Sequence, residues 1–185
     1  MNVKHGLKEK NMASFSIFTT YLRKMKGEEK KKERINFLDS FISLIGGLIA
    51  IILISTAALF LENPIVLAPL GASCVIVFFM HKGPLSQPRH VVGGHFLCTL
   101  LGLTIWSLLG TTILSYAVVI GAVLIVMILT DTFHPPSAAS ALVAVNFHPG
   151  WGMLLSVTLC AILLVCTSAF YNNLFRERQY PKYWI

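Results

Sequence analysis

The stretch Pro135-Pro-Ser-Ala-Ala-Ser-Ala-Leu-Val-Ala-Val-Asn-Phe147 decides the fold of this chain, because the topology turns on whether it crosses a membrane. It is short beside the ~20 apolar residues that a spanning helix needs. It is also rich in small residues and opens on a proline pair. On either side lie two clear spans, 112–130 (TILSYAVVIGAVLIVMILT) and 151–171 (WGMLLSVTLCAILLVCTSAFY). Upstream are 37–60, 64–80 and 91–109. The second of these is short and is interrupted by Pro64, Pro69 and Gly71.

Composition agrees with a membrane protein. Of 185 residues, 55% are hydrophobic and 12% charged, and the mean hydropathy is +0.72. Soluble domains carry roughly 25% charge. Fourteen of the 23 charged residues fall in 1–35 and four in 171–185, leaving Asp39, Glu62, Lys82, Arg89 and Asp131 for everything between. That distribution excludes a soluble enzyme, a disordered chain and a secreted disulfide scaffold. The net charge of +7 does not point to nucleic acid, because the excess abuts the first span. Basic residues there mark the cytoplasmic side and attract anionic lipid headgroups. Cys74, Cys98, Cys160 and Cys166 lie inside apolar segments with no CxxC spacing, and read as small buried hydrophobes.

Residues 1–36 form a basic cytoplasmic segment. Phe15, Phe18, Leu22 and Met25 fall at helical spacing before Arg23, Lys24 and Lys26, which leaves an interfacial helix and a basic tail as equal readings. The run Glu28–Arg34 leads into the membrane domain, 37–171, and a short basic tail follows over 172–185. If 135–147 crosses, the basic clusters before span one, at Lys82 and Arg89, and at Arg176, Arg178 and Lys182 share one face. The positive-inside rule therefore predicts six crossings with both termini cytoplasmic. The expected location is the plasma membrane.

Shifted by 67 positions, Pro69–Gly83 lies over Pro136–Gly150 without a gap. Pro69/Pro136, Ala72/Ala139, Ser73/Ser140, His81/His148 and Gly83/Gly150 are identical. Three spans per repeat inverts the second copy. The expected fold is therefore all-α and polytopic: six membrane segments as two inverted three-segment repeats, 37–109 and 112–171, with segments two and five short or broken. Gly46-xxx-Ala50 and Ala117-xxx-Gly121 have the spacing of close helix contacts.

Paired broken helices point to a midplane site. Proline suits a first turn because it has no N–H to leave unpaired. Helices starting at Pro69 and at Pro135-Pro136 would present free N–H groups at Gly71–Ser73 and Ser137–Ala139, a setting for an anion. Gly71, Ala72, Ala138 and Ala139 would let the ion approach, and Ser73, Ser137 and Ser140 would add hydroxyl donors.

The run Asp131-Thr-Phe-His134-Pro135-Pro136-Ser137-Ala-Ala resembles the signature of the HPP family of small integral membrane proteins. Ala68-Pro-Leu-Gly-Ala-Ser73, Gln87-Pro-Arg89 and Gly93-Gly94-His95 match that family's pattern as well. The resemblance covers roughly 37–171. Some members of the family are implicated in nitrite transport, so the resemblance implies a transporter or channel for a small monovalent anion.

Among single residues, Asp131 reads as the cap of the broken helix, with gating or proton coupling as the alternative. His134 is suited to holding an anion when charged, to relaying a proton, or to a structural bond. Arg89 is an orientation charge or an attractor at the cytoplasmic mouth. Asp131 and Arg89 are the gating or coupling candidates. His81 and His148 sit beside turns and read as caps or headgroup contacts. His90 and His95, five apart, do not share a helical face, so no metal or other cofactor is expected. Trp106, Trp151, Tyr171, Tyr180 and Trp184 read as interface anchors or packing residues.

An enzyme is not expected: there is no nucleophile–base pair and no HExxH helix. The alternative to a permeation protein is a non-transporting membrane subunit or assembly factor. A homo-oligomer is expected, since six short spans give little shelter to a cavity.

Overall fold

The computed structural model describes residues 19–27 and 36–185. Within the first unit, residues 1–35, a short helix covers 19–26, with Leu22 and Met25 exposed. Phe15, Phe18 and the charge run over 28–34 lie outside the described residues.

The second unit, Asn36–Ile185, holds six helices: α1 Phe37–Phe60, α2 Leu67–Phe79, α3 Gly94–Leu109, α4 Ile113–Thr130, α5 Pro135–Phe147 and α6 Gly152–Asn172. There is no strand among the described residues. A 3₁₀ turn, Pro64–Val66, leads into α2, and a wide π-helical turn, Arg89–Gly93, leads into α3. Four helical stretches are long and apolar enough to cross a bilayer: Phe37–Phe60, Arg89–Leu109, Ile113–Thr130 and Gly152–Asn172. At 13 residues, α5 is about 20 Å long against a ~30 Å hydrocarbon core, and α2 is equally short.

Helix starts follow local chemistry. The Asn36 side chain accepts from the Asp39 N–H at 3.2 Å and opens α1. Thr112 and Ser115 form a reciprocal capping box at the start of α4. The long helices turn apolar faces outward: Phe37, Phe60, Ile113 and Leu129 are each more than three-quarters exposed. Side chains of that type belong in lipid.

Small residues set the packing. A Cβ on Gly102 of α3 would stand 2.6 Å from the Ala141 carbonyl oxygen of α5, so the two backbones touch. Gly46 of α1 has no room either, because a Cβ there would lie 2.5 Å from both Phe78 and Tyr171. Gly46-xxx-Ala50 is therefore a buried seam. Ala117 and Gly121 are exposed, and a Cβ on Gly121 would meet nothing within 4 Å. Spacing alone does not separate the two cases; what faces them does.

Hydrogen bonds show that the helices alternate in direction. Arg178, beyond α6, reaches the start of α1 and the end of α2 together, donating to the Asp39 carbonyl (3.2 Å), Ser43 Oγ (2.9 Å) and the Phe78 carbonyl (2.8 Å). Tyr180 is fully buried and donates to the Ser86 carbonyl at 2.7 Å, while the Lys182 N–H donates to Gln87 Oε1 at 2.8 Å. Arg89 donates to the Thr130 and Asp131 carbonyls at the end of α4. At the other end Thr111 donates to the Val145 carbonyl at 2.8 Å, and His148 stacks on Trp106. The 172–185 tail is thus built into the fold, and Arg178 is a buried structural cation.

Candidate functional site

The short helices bring their polar residues to one place. Ser73, in the middle of α2, bonds through Oγ to His95 Nε2 on α3 at 2.7 Å and to His134 Nε2, just before α5, at 2.9 Å. His95 Nδ1 meets Ser140 Oγ of α5 at 2.8 Å, and His134 Nδ1 donates to the Leu85 carbonyl at 2.7 Å. Ser137 donates to the His134 carbonyl at 2.6 Å, which leaves its oxygen to accept from the Cys98 thiol at 3.3 Å. Ser73, His95, His134, Ser137 and Ser140 are all fully buried. The two imidazole centroids lie 5.3 Å apart at 60°.

Glycines make this contact possible. A Cβ on Gly94 would stand 2.9 Å from Ser137 Oγ and 3.0 Å from the Thr132 carbonyl oxygen, and one on Gly93 would press on the Thr132 methyl. The bare backbone lets the 131–134 segment sink against α3 and carry His134 to Ser73. The π-helical turn just upstream lies where Arg89 leaves the loop for its two carbonyls; such turns are frequent at functional sites.

The site residues expected from sequence divide into two groups. Ser73, His134, Ser137 and Ser140 converge. Pro69 and Pro136 are buried beside them, and Pro69 offers its carbonyl to Ser73 Oγ at 3.0 Å. Ala138 packs on the apolar cluster around Cys98 and Val119. By contrast, Ala72 and Pro135 are exposed. Gly71 lines an apolar cavity of about 210 Å³ between α1 and α2, with Gly47, Ile51 and Cys74.

The backbone does not present the expected donors. Helical structure begins at Pro64, with α2 itself starting at Leu67, so the N–H groups of Gly71–Ser73 lie in the body of a helix. At α5, Pro135 and Pro136 have no N–H to offer, and the Ser137 N–H donates to the His134 carbonyl at 2.9 Å. The double proline that marks the helix start also removes its free donors. Polarity at this spot comes from side chains.

Asp131 and Arg89, the gating or coupling candidates, meet at the end of α4. Asp131 ends α4 in the left-handed region (φ 52°), with its side chain exposed, and so caps the helix before the motif rather than the one after it. Arg89 holds the final carbonyls of the same helix, where a cation is favoured. His81 and His148, paired by the repeat, differ. His81 is buried and accepts from Arg178 at Nδ1 (2.9 Å), whereas His148 is an exposed left-handed cap against Trp106 and Thr111.

His95 is the residue that spacing missed. Tested only against its neighbour His90, it fails as a ligand pair. Its partners stand 22 and 45 positions away, on α2 and α5. The available signal was a lone histidine after two glycines inside an apolar span. One turn further along α3, Thr99 is fully buried with its hydroxyl unpartnered. No group of three or more His, Cys, Asp or Glu suited to a metal occurs among the described residues.

These features define a multi-helix membrane protein with a polar centre of histidines and serines. Residues 32–181 match the family described as "HPP, transmembrane region", and the chain belongs to that family. It is 30% identical to one transmembrane protein of Dictyostelium discoideum, over 69% of this chain and 48% of the relative. It is 29% identical to a second from the same organism, over 90% of this chain and 58% of the relative. The chain thus spans about half the length of these curated relatives. No solved structure matches it.

Proposed function

We propose that this protein is a plasma-membrane permeation protein, not an enzyme, that carries a small monovalent anion such as nitrite past the centre formed by Ser73, His95, His134 and Ser140. The observation behind this reading is the burial of two histidines and their serines among otherwise apolar helices. Ionisable groups at membrane depth are costly and mark ion or proton pathways. The Thr99 hydroxyl, on the His95 face of α3, is buried without a partner and is a further donor beside the centre.

In this reading the chain crosses six times, with α2 and α5 as the short segments of an inverted repeat and both ends cytoplasmic. The bond of Arg178 to Ser43 and the alternation of helix directions support it. The anion is bound by side chains rather than by free helix N-termini, and Arg89 holds the loop that carries His134.

Purified protein in liposomes, assayed for uptake of nitrite, nitrate, formate and chloride against protein-free vesicles, tests the function. The expected result is uptake of at least one anion, falling roughly tenfold or more in Ser73→Ala, since stranding a buried polar partner costs about 1–3 kcal/mol. Absence of uptake for all four from monodisperse protein would favour a non-transporting membrane subunit.

A further inference from the structure

Proton counting at the polar centre leads beyond the choice of substrate. The Leu85 carbonyl can only accept, so His134 Nδ1 carries a hydrogen. If His134 is neutral, its Nε2 is a lone pair and must accept the Ser73 hydroxyl hydrogen. Ser73 Oγ then accepts from His95 Nε2–H, and His95 Nδ1 accepts from Ser140. Every polar atom is satisfied with no net charge, and the two rings hold opposite tautomers.

Ser73 has a second place for its hydrogen, the Pro69 carbonyl at 3.0 Å. With the hydroxyl turned there, Ser73 Oγ accepts from both imidazoles. His134 then carries hydrogens on both nitrogens and is an imidazolium. The same heavy-atom positions therefore accommodate either state, and the change needs only rotation of one hydroxyl. A second proton would charge two rings 5.3 Å apart.

We propose that Ser73, His95 and His134 form a binding site for a single proton, stored on His134, and that the resulting imidazolium pairs with the transported anion. This rests on the permeation reading above. Among the described residues, no carboxylate hydrogen-bonds to the cluster. Asp131 is exposed, and the Arg89 guanidinium is turned onto the Thr130 and Asp131 carbonyls. His90, buried on the π-helical turn beside the ring of Tyr183, and Cys98 on α3 are the other titratable groups facing the pair. Bringing a proton and a monovalent anion together leaves the centre neutral.

Nitrogen-15 NMR of histidine-labelled protein in lipid nanodiscs tests this without any flux assay. At high pH His134 should be the Nδ1–H tautomer and His95 the Nε2–H tautomer. On acidification one proton per chain should enter, protonating both nitrogens of His134 while His95 stays neutral. Added sodium nitrite should move that step to higher pH. In Ser73→Ala the tautomer of His95 should become mixed, and Ser73→Thr should restore it. Charging of His95 before His134, or an unaltered His95 in Ser73→Ala, would overturn the single-proton site. A step that nitrite does not move would break the link to the anion. If Ser73→Ala does not fold, the wild-type titration and Ser73→Thr still decide. Failure of anion uptake in liposomes would remove the permeation reading and leave these signals to stand or fall separately.

Discussion

Ser73 and Ser140, the partners that a 67-position shift superposes, grip opposite nitrogens of one imidazole, His95, at 2.7 and 2.8 Å. His95 itself has no counterpart, since the shift places it on Ile162. The likeness between the two short helices is thus spent on a residue that neither contains. Away from the centre it fades: His81 is buried under Arg178, and His148 lies open against Trp106.

Glycine substitutions should separate seam from surface. Gly102→Ala drives a Cβ into the Ala141 backbone, and we expect a loss of about 1–3 kcal/mol, typical of overpacking. Gly121→Ala meets nothing and should be neutral or stabilising by up to ~1 kcal/mol, from helix propensity. Thermal unfolding in detergent, with both variants side by side, measures the difference. Equal melting would refute the α3–α5 contact.

Removing either partner of the Arg178–Asp39 pair, 3.6 Å apart, should have unequal effects. Arg178→Ala leaves the buried His81 Nδ1 without its donor and removes the cation that covers the Ser43–Phe78 hydrogen bond, and should cost about 1–3 kcal/mol. Asp39→Asn affects a half-exposed carboxylate and should cost under ~1 kcal/mol. Chemical denaturation of the two variants gives the comparison.

Tyr180→Phe tests the tail. It keeps the buried ring but leaves the Ser86 carbonyl without its donor, for an expected cost of about 1–3 kcal/mol. Limited proteolysis should then cut after Asn173 more readily than in the wild type. An unchanged cleavage pattern would mean that Arg178, the Lys182 backbone and the bonds between Asn173 and the Tyr180 backbone hold the tail without the Tyr180 hydroxyl.

His81 gives stability a pH dependence. Burial, and then the neighbouring Arg178, hold its pKa below the ordinary histidine value of 6.5. The unfolded chain therefore takes up the proton first. The contribution of His81 is complete above about 6.5 and is lost as pH falls below that value toward the lower native pKa. We expect the melting temperature to fall between pH 7 and pH 5, and to fall less in His81→Gln.

Cysteine accessibility tests the six crossings. Reporter cysteines at Lys82 and Arg176 should label from one side of sealed vesicles, and those at Glu62 and Thr112 from the other. Labelling of Lys82 and Arg176 from opposite sides would remove the inverted repeat.

Much of the architecture was legible because apolar length is a local property. Residues 37–60 and 135–147 have the same bounds in sequence and structure, 112–130 differs from its helix by one residue at its start, and 151–171 by one residue at each end. The serines and His134 of the centre were legible too: the repeat marks Ser73 and Ser140, and the motif marks Ser73, His134 and Ser137. What escaped depends on approach between distant segments. His95 acquires its meaning from α2 and α5, and Arg178 from α1 and α2. Periodicity along one helix carries no trace of either. Proline chemistry also cuts both ways: the Pro135-Pro136 pair located a helix start correctly, yet its missing N–H groups are the reason no backbone donor waits there.

The bond between Arg178 and Ser43 also bears on biogenesis. A ribosome makes α1 first and Arg178 only after all six helices, so the start of the first helix stays incomplete until synthesis has passed the last. A chain stalled or cleaved anywhere before residue 178 leaves the Ser43–Phe78 hydrogen bond and His81 Nδ1 without the guanidinium that covers them. An unfinished copy therefore differs from a finished one at the first helix as well as at its end.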